Sequence, residues 1–322
     1  MLSEFELIKH YFDSRRTEGD QITLGIGDDC AILQPHPNKQ LAISSDMLVS
    51  GRHFFPDADP VGLGHKCLAV NLSDLAAMGA KPVAFTLALA LPEANPTWLE
   101  GFAQGMFALA DEHDCKLIGG DTTKGPLTIC ITIFGELPHG QALRRDAAQV
   151  GDDIWISGTL GDARLALAGY WKEHTLSAEL HQQAATRMHR PTPRIALGQS
   201  LLGVANAALD ISDGLIGDLG HILDRSRVGA CLNVDLLPAG PVLAQQTVDL
   251  RRTFTLAGGD DYELCFTAPV HQRVAVLAAG QSSGTAVTRV GSIEAEPGLR
   301  LLDAHGQVYQ HQLKGFDHFT SD

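Results

Sequence analysis

The sequence predicts an α+β protein built from two mixed domains. Three observations carry that expectation. The chain has 322 residues, too many for one ordinary core. Short apolar or alternating runs are interleaved with stretches of helical period in both halves. Strand-like neighbours lie close enough in sequence to form hairpins, which favours α+β over a doubly wound parallel sheet.

Residues 2–13 read as a short amphipathic helix. The segments near 22–34, 40–46, 83–91, 115–119 and 126–137 are bounded by Gly, Pro or Asp and read as strands. Between them, 61–78 and 96–113 have helical period; the first should stop at Gly79, and Asn95-Pro96 supplies a cap and a first-turn proline for the second. The polar stretch 138–153 is the best domain boundary, placing one domain at 1–140 and the other at 141–322. In the second half, 154–157 is a strand and the glycine-rich 158–161 turns into a helix. Further helices are expected near 176–188, 192–206, 213–227 and 270–280, with Ser212 a plausible N-cap, and strands at 232–236, 262–267 and 287–293. No repeat of fixed period is present.

Composition excludes several functions. The net charge is −14, from 24 Lys and Arg against 38 Asp and Glu, the wrong balance for a nucleic-acid surface. No apolar stretch approaches the about 18 residues of a membrane span, and the N-terminus has no basic leader. Six scattered cysteines without C-x-x-C spacing argue against zinc and disulfide frameworks and for reduced, buried thiols in a cytoplasmic protein.

The informative residues are acids set among Gly, Ser and Thr: Gly27-Asp28-Asp29, Ser44-Ser45-Asp46, Asn71-Leu72-Ser73-Asp74, Gly119-Gly120-Asp121-Thr122-Thr123, Asp210-Ile211-Ser212-Asp213-Gly214 and Gly258-Gly259-Asp260-Asp261. Most adjoin apolar runs, which places them at element ends, where sites are usually built. Their oxygens suit Mg²⁺, and so many candidate ligands point to a strongly anionic substrate such as a polyphosphate. Each motif also has a bland reading. Gly27-Asp28-Asp29 alone is an ordinary turn, and Ser44-Ser45-Asp46, at the end of the strand 41–43, could be a cap. Gly119–Gly120 could be only a flexible turn, although glycines there would let a backbone approach phosphate beside Asp121. Asp74 is harder to dismiss. It falls inside a helix among Leu72, Leu75, Ala76 and Ala77, where an acid needs a partner or a metal. Arg144-Arg145 could bind phosphate or be a solvated pair, and His53 alone would be a surface histidine. Pro126 stands where a Walker A loop needs Lys, and the dinucleotide glycine fingerprint and protein-kinase motifs are missing.

Together, in order and spacing, LGIGDDCA (24–31), AISSDMLV (42–49), LAVNLSDLAAMGA (68–80), LIGGDTT (117–123), ALDISDGL (208–215), AGGDDYELC (257–265) and KGFDHF (314–319) resemble the thiamine-monophosphate kinase family of the aminoimidazole-ribonucleotide-synthetase-like superfamily. The resemblance runs through essentially the whole chain. It implies a two-domain α+β fold, a homodimer formed through the N-terminal domains, ATP as co-substrate, thiamine monophosphate as acceptor and several Mg²⁺ ions. By motif position it implies metal ligands at Asp29, Ser44, Ser45, Asp46, Asp74, Asp121, Asp210 and Asp213. It further implies nucleotide contacts at Gly120, Asp121, Arg145 and Ser212, and acceptor contacts at His53, Asp260 and Phe316. Two positions depart from the family pattern. Asp260 stands where Glu is common, and Phe316 where a ring with a hydroxyl or indole is common, so both bear on acceptor contacts.

The implied acceptor is a phosphate monoester, already ionised near neutral pH, so no general base is expected. Catalysis should consist of positioning and charge neutralisation. The alternatives are another ATP-using superfamily enzyme that forms an acyl-phosphate or iminophosphate intermediate, or a non-catalytic metal-binding protein.

Overall fold

The computed structural model describes residues 4–13 and 19–310. It divides into two compact units. The first comprises the described residues up to Leu75 together with Ala80–Gly140; the second comprises Ala76–Gly79 and the described residues from Gln141 on.

In the first unit, a single turn α1 (Glu4–Leu7) continues as a π-helical turn Ile8–Phe12 and buries Leu7 and Phe12. The run 22–34 is not one strand but two short ones, β1 (Ile22–Leu24) and β2 (Ile32–Leu33), paired antiparallel around a loop that carries Asp28 and Asp29. Then follow β3 (Lys39–Val49), α2 (Pro60–Met78), β4 (Lys81–Leu91), α3 (Pro96–Glu112), β5 (Lys116–Lys124) and β6 (Thr128–Pro138). Asn95 caps α3 as expected, accepting the Trp98 N–H at 3.2 Å. The four long strands form a mixed sheet in the order β3-β6-β4-β5; only β4 and β5 run parallel. One face is packed: Ile129, Ile131 and Ile133 of β6 are buried, as are Phe85, Leu87 and Leu89 of β4, and Leu75 of α2 meets β6 at Gly135. The alternation of a strand puts the opposite set of side chains on the other face. There Ile43 is 61% and Met47 57% exposed.

The second unit contains β7 (Asp153–Ser157), α4 (Asp162–Tyr170), α5 (Ala178–His189), α6 (Ile195–Ser200), β8 (Ala207–Asp210), α7 (Leu215–Ser226), β9 (Gly229–Asn233), α8 (Val248–Ala257), β10 (Leu264–Ala268), α9 (Arg273–Ser282), β11 (Val287–Glu294) and β12 (Gly298–Leu302). Its six-stranded sheet has the order β12-β9-β11-β7-β10-β8, antiparallel except for β12 beside β9. Ile154, Ile156, Leu209, Leu219, Ile222, Leu232 and Ile293 belong to one buried cluster.

Several expectations are corrected. The helix over 192–206 is only α6, because 201–204 form turns. Strands β8 and β12 and helix α8 went unread: β8 and β12 are four and five residues long, and β8 is buried throughout, so it has no alternation to detect. Ser212 does not cap α7. The N-cap is Gly214, at φ 108°, with no side-chain cap bond. Burial of the cysteines holds for Cys67, Cys115 and Cys265; Cys30 is exposed, and Cys130 and Cys231 are intermediate. No helix among the described residues is long and apolar enough to cross a membrane.

Candidate functional site

The acids do not all sit at element ends. Ser44, Ser45 and Asp46 lie within β3, because β6 pairs with that strand as far as Val49. Alternation then separates them. Ser44 and Asp46 turn towards α2, where the Ser44 hydroxyl donates a short hydrogen bond to Asp74 Oδ2. The Asp46 N–H donates to Asn71 Oδ1 at 3.2 Å, and Asn71 Nδ2 is anchored on the Cys67 carbonyl at 2.9 Å. Asn71 and Asp74, three residues apart on α2, thus share the face that meets β3. Ser45 turns its hydroxyl to the opposite face, 3.2 Å from the Ile131 carbonyl and 3.0 Å from Thr132 Oγ1. Its side chain does not join Ser44 and Asp74.

Asp29 is exposed in the β1–β2 loop, its N–H donating to Asp28 Oδ1 at 2.8 Å. Asp121 is exposed within β5, in register with Ala88 of β4. Gly120 precedes it at φ 147°, and a Cβ there would stand 1.8 Å from the Leu87 carbonyl oxygen, so only glycine fits this approach of β5 to β4. His53 follows β3 in a turn and accepts the Val49 N–H on Nδ1 at 3.0 Å.

In the second unit, two motif loops are stitched together through their backbones. The Asp260 N–H donates to the Ser212 carbonyl and the Tyr262 N–H to the Ile211 carbonyl, both at 2.8 Å; the Ile211 N–H returns a 2.8 Å bond to the Glu263 carbonyl. Asp210 ends β8 and is only 5% exposed. Beyond it, the Ser212 and Asp213 N–H groups both donate to Asp218 Oδ2 at 3.1 Å. Burial pushes the Asp218 carboxyl up to about 7; the Asp213 charge adds to this, and the backbone N–H groups oppose it. Asp261 is also buried. Burial holds its carboxyl well above the usual range, against the pull of the Gly161 N–H and the Arg187 guanidinium.

Arg145 is exposed, and its carbonyl accepts the Ser226 hydroxyl at 2.8 Å. Its neighbour Arg144 is committed to Asp146 through two bonds, at 2.8 and 2.6 Å. Phe316 and the KGFDHF segment lie outside the described residues. Residue reasoning named Asp261 in a motif without giving it a role, and it missed Asp218, Glu263, Arg187 and Arg194. Glu263 left a trace, an acid inside the apolar run into β10; Arg187 left none, because its partner is 76 residues away.

Oxygen donors dominate both units, and this chemistry fits a hard divalent cation. Among the described residues, however, no three His, Cys, Asp or Glu side chains stand together as a finished metal cage.

Residues 27–137 match the family model "AIR synthase related protein, N-terminal domain". The chain is 46% identical over 321 residues to thiamine-monophosphate kinase of Salmonella typhimurium, covering 99% of this chain and 98% of that one. The crystal structure of thiamine-monophosphate kinase from Stenotrophomonas maltophilia superposes with a TM-score of 0.83 at 50% identity, covering 88% of this chain and 92% of that one. A structure of AaThiL complexed with AMPPCP and TMP superposes at 0.77 with 28% identity, covering 98% and 97%.

Proposed function

The chain belongs to the thiamine-monophosphate kinase family, and on that premise we propose how its own residues serve the reaction. The activity is transfer of the γ-phosphoryl group of ATP to thiamine monophosphate, giving ADP and thiamine diphosphate. The observation that carries it is full-length identity at 46% with a thiamine-monophosphate kinase. The test is ADP release from ATP and Mg²⁺ across a panel of phosphorylated acceptors. Thiamine monophosphate should be preferred; ADP released only with another acceptor would sink the assignment, and cation binding without ADP would indicate a metal-binding protein.

In the first unit, Asp29, Ser44, Ser45, Asp46, Asp74 and Asp121 are the proposed holders of Mg²⁺, Ser45 through its backbone oxygen; in the second, Asp210 and Asp213. Bound divalent cations would supply charge neutralisation between two anions that otherwise repel. Ser44 and Asn71 orient the β3–α2 acids, and Asp218 holds the Ser212 and Asp213 backbone in place. Arg145, Ser212, Gly120 and Asp121 are the proposed nucleotide contacts. His53 and Asp260 are acceptor contacts, with Phe316 a third proposed on sequence alone. The number of carboxylate motifs supports a reading in which more than one ion takes part. Activity should therefore continue to rise with Mg²⁺ after all ATP is complexed, and a plateau at one Mg²⁺ per ATP would contradict this.

The acceptor oxygen is already ionised, so no residue is assigned as general base and transfer is direct and in line. Stereochemistry at a chiral γ-phosphoryl group should invert; retention, or a phosphorylated Asp competent to react with acceptor, would refute direct transfer.

A second copy of the chain is the proposed cover for the open face of the β3-β6-β4-β5 sheet, where Ile43 and Met47 are exposed together with Leu41 at 36%. Ile43→Arg should shift the protein from dimer to monomer in sedimentation. An unchanged sedimentation coefficient would remove that face from the interface.

A further inference from the structure

We propose that Arg187 is a positioning residue that fixes the Asp260–Tyr262 loop for the acceptor; the inference rests on the kinase reading and on Asp260 as an acceptor contact. Asp260 and Tyr262 are non-glycine residues at φ 66° and 50°. L-residues hold such conformations only where the surroundings over-determine them. One side of the loop is fixed by its backbone bonds to Ile211 and Ser212. The other side is fixed by a side chain. Arg187 Nη2, from α5, donates at 2.9 Å to the carbonyl of Asp261, the residue between the two left-handed ones.

The same nitrogen donates at 2.9 Å to Glu263 Oε1. Glu263 is fully buried, and it does not need Arg187 for charge balance. Arg194 already grips it in a fork, with Nε on Oε2 at 2.6 Å and Nη2 on Oε1 at 2.5 Å. Ser157 Oγ adds a bond to Oε2 at 2.6 Å and accepts the Leu264 N–H at 2.8 Å. Two arginines therefore face one carboxylate, and they differ in what else they hold. Arg194 acts as counter-ion. Arg187 is the surplus cation, and its further bond goes to the loop carbonyl. Glu263 in turn orients the guanidinium, so the buried acid aims Arg187 at the loop.

This asymmetry predicts different kinetic signatures. Arg187→Met should raise the KM for thiamine monophosphate about tenfold, the order expected when one charge-assisted hydrogen bond no longer holds the loop, while the KM for ATP moves less than about twofold. Arg187→Lys should recover most of the loss, because both bonds come from one nitrogen that an ammonium group can imitate. Arg194→Met should lower Tm at least as much as Arg187→Met, yet change both KM values alike. Equal KM effects in Arg187→Met, or a lower Tm with unchanged acceptor KM, would overturn the inference and leave Arg187 a structural residue. If Arg187→Met does not fold, Arg187→Gln, which removes the charge, decides: an acceptor-selective KM rise supports the proposal, and wild-type constants or equal effects on both substrates refute it. Wild-type protein inactive on thiamine monophosphate would overturn the kinase reading itself, a result distinct from active wild type without a KM split.

Discussion

Asp74→Asn is expected to leave a folded protein whose turnover falls about 100-fold or more, the scale for losing an electrostatic contact made chiefly in the transition state. Asp74 lies inside α2 between Leu72, Ser73 and Leu75, all buried. Its Oδ2 accepts the Ser44 hydroxyl from β3. Asparagine has nearly the same shape, and its amide oxygen can still accept that hydroxyl, so the α2–β3 contact should survive. What is lost is the negative charge, and a neutral amide is a poor ligand for a hard divalent cation. Measuring kcat beside the melting curve separates the two effects. Near-normal turnover in a folded variant would remove Asp74 from the site; unfolding would mean that the carboxylate serves the helix and not the reaction.

Glu263→Leu should have the largest effect on stability, a loss of about 3–5 kcal/mol, the usual cost of breaking a buried ion pair by removing one partner. Glu263 has no exposed surface and accepts from Arg187, Arg194 and Ser157. Leucine would leave two cations facing apolar surface, since the Arg187 and Arg194 side chains are only 19% and 17% exposed. Replacing all three charged groups with apolar ones should cost much less, because the penalty lies in the unpaired cations and not in the absence of a salt bridge. Urea unfolding of the single and triple variants measures both. A single variant within about 0.5 kcal/mol of wild type, the range of ordinary surface substitutions, would show that the cluster contributes nothing to stability.

How the chain lies was largely written in local chemistry. The helical period of 61–78 closed by Gly79, the Asn95-Pro96 start and the alternation of 126–137 each depend on neighbours within a few residues, and each element appears close to its expected bounds. The acid-bearing motifs were equally legible, because an Asp among Leu and Ala inside a helix is anomalous whatever the fold. Other features depended on partners far away in sequence. Strand β3 continues to Val49 because β6 pairs with it that far, and that continuation puts Ser45 on the opposite face from Ser44 and Asp46. Ser212 had the chemistry of a helix cap, but its backbone N–H is taken by Asp218 and its carbonyl by Asp260.

The chain's own residues therefore determined the α+β alternation, the acidic motifs and the resemblance they carry. Only the tertiary structure decided which donors face one another, and that a fully buried Glu263 gathers two arginines, one from α5 and one from the N-cap position of α6. The physical reason is range. Periodicity, caps and turns are set by local sterics and hydrogen bonding. The pairing of buried charges is set by desolvation, which acts only once distant segments have packed.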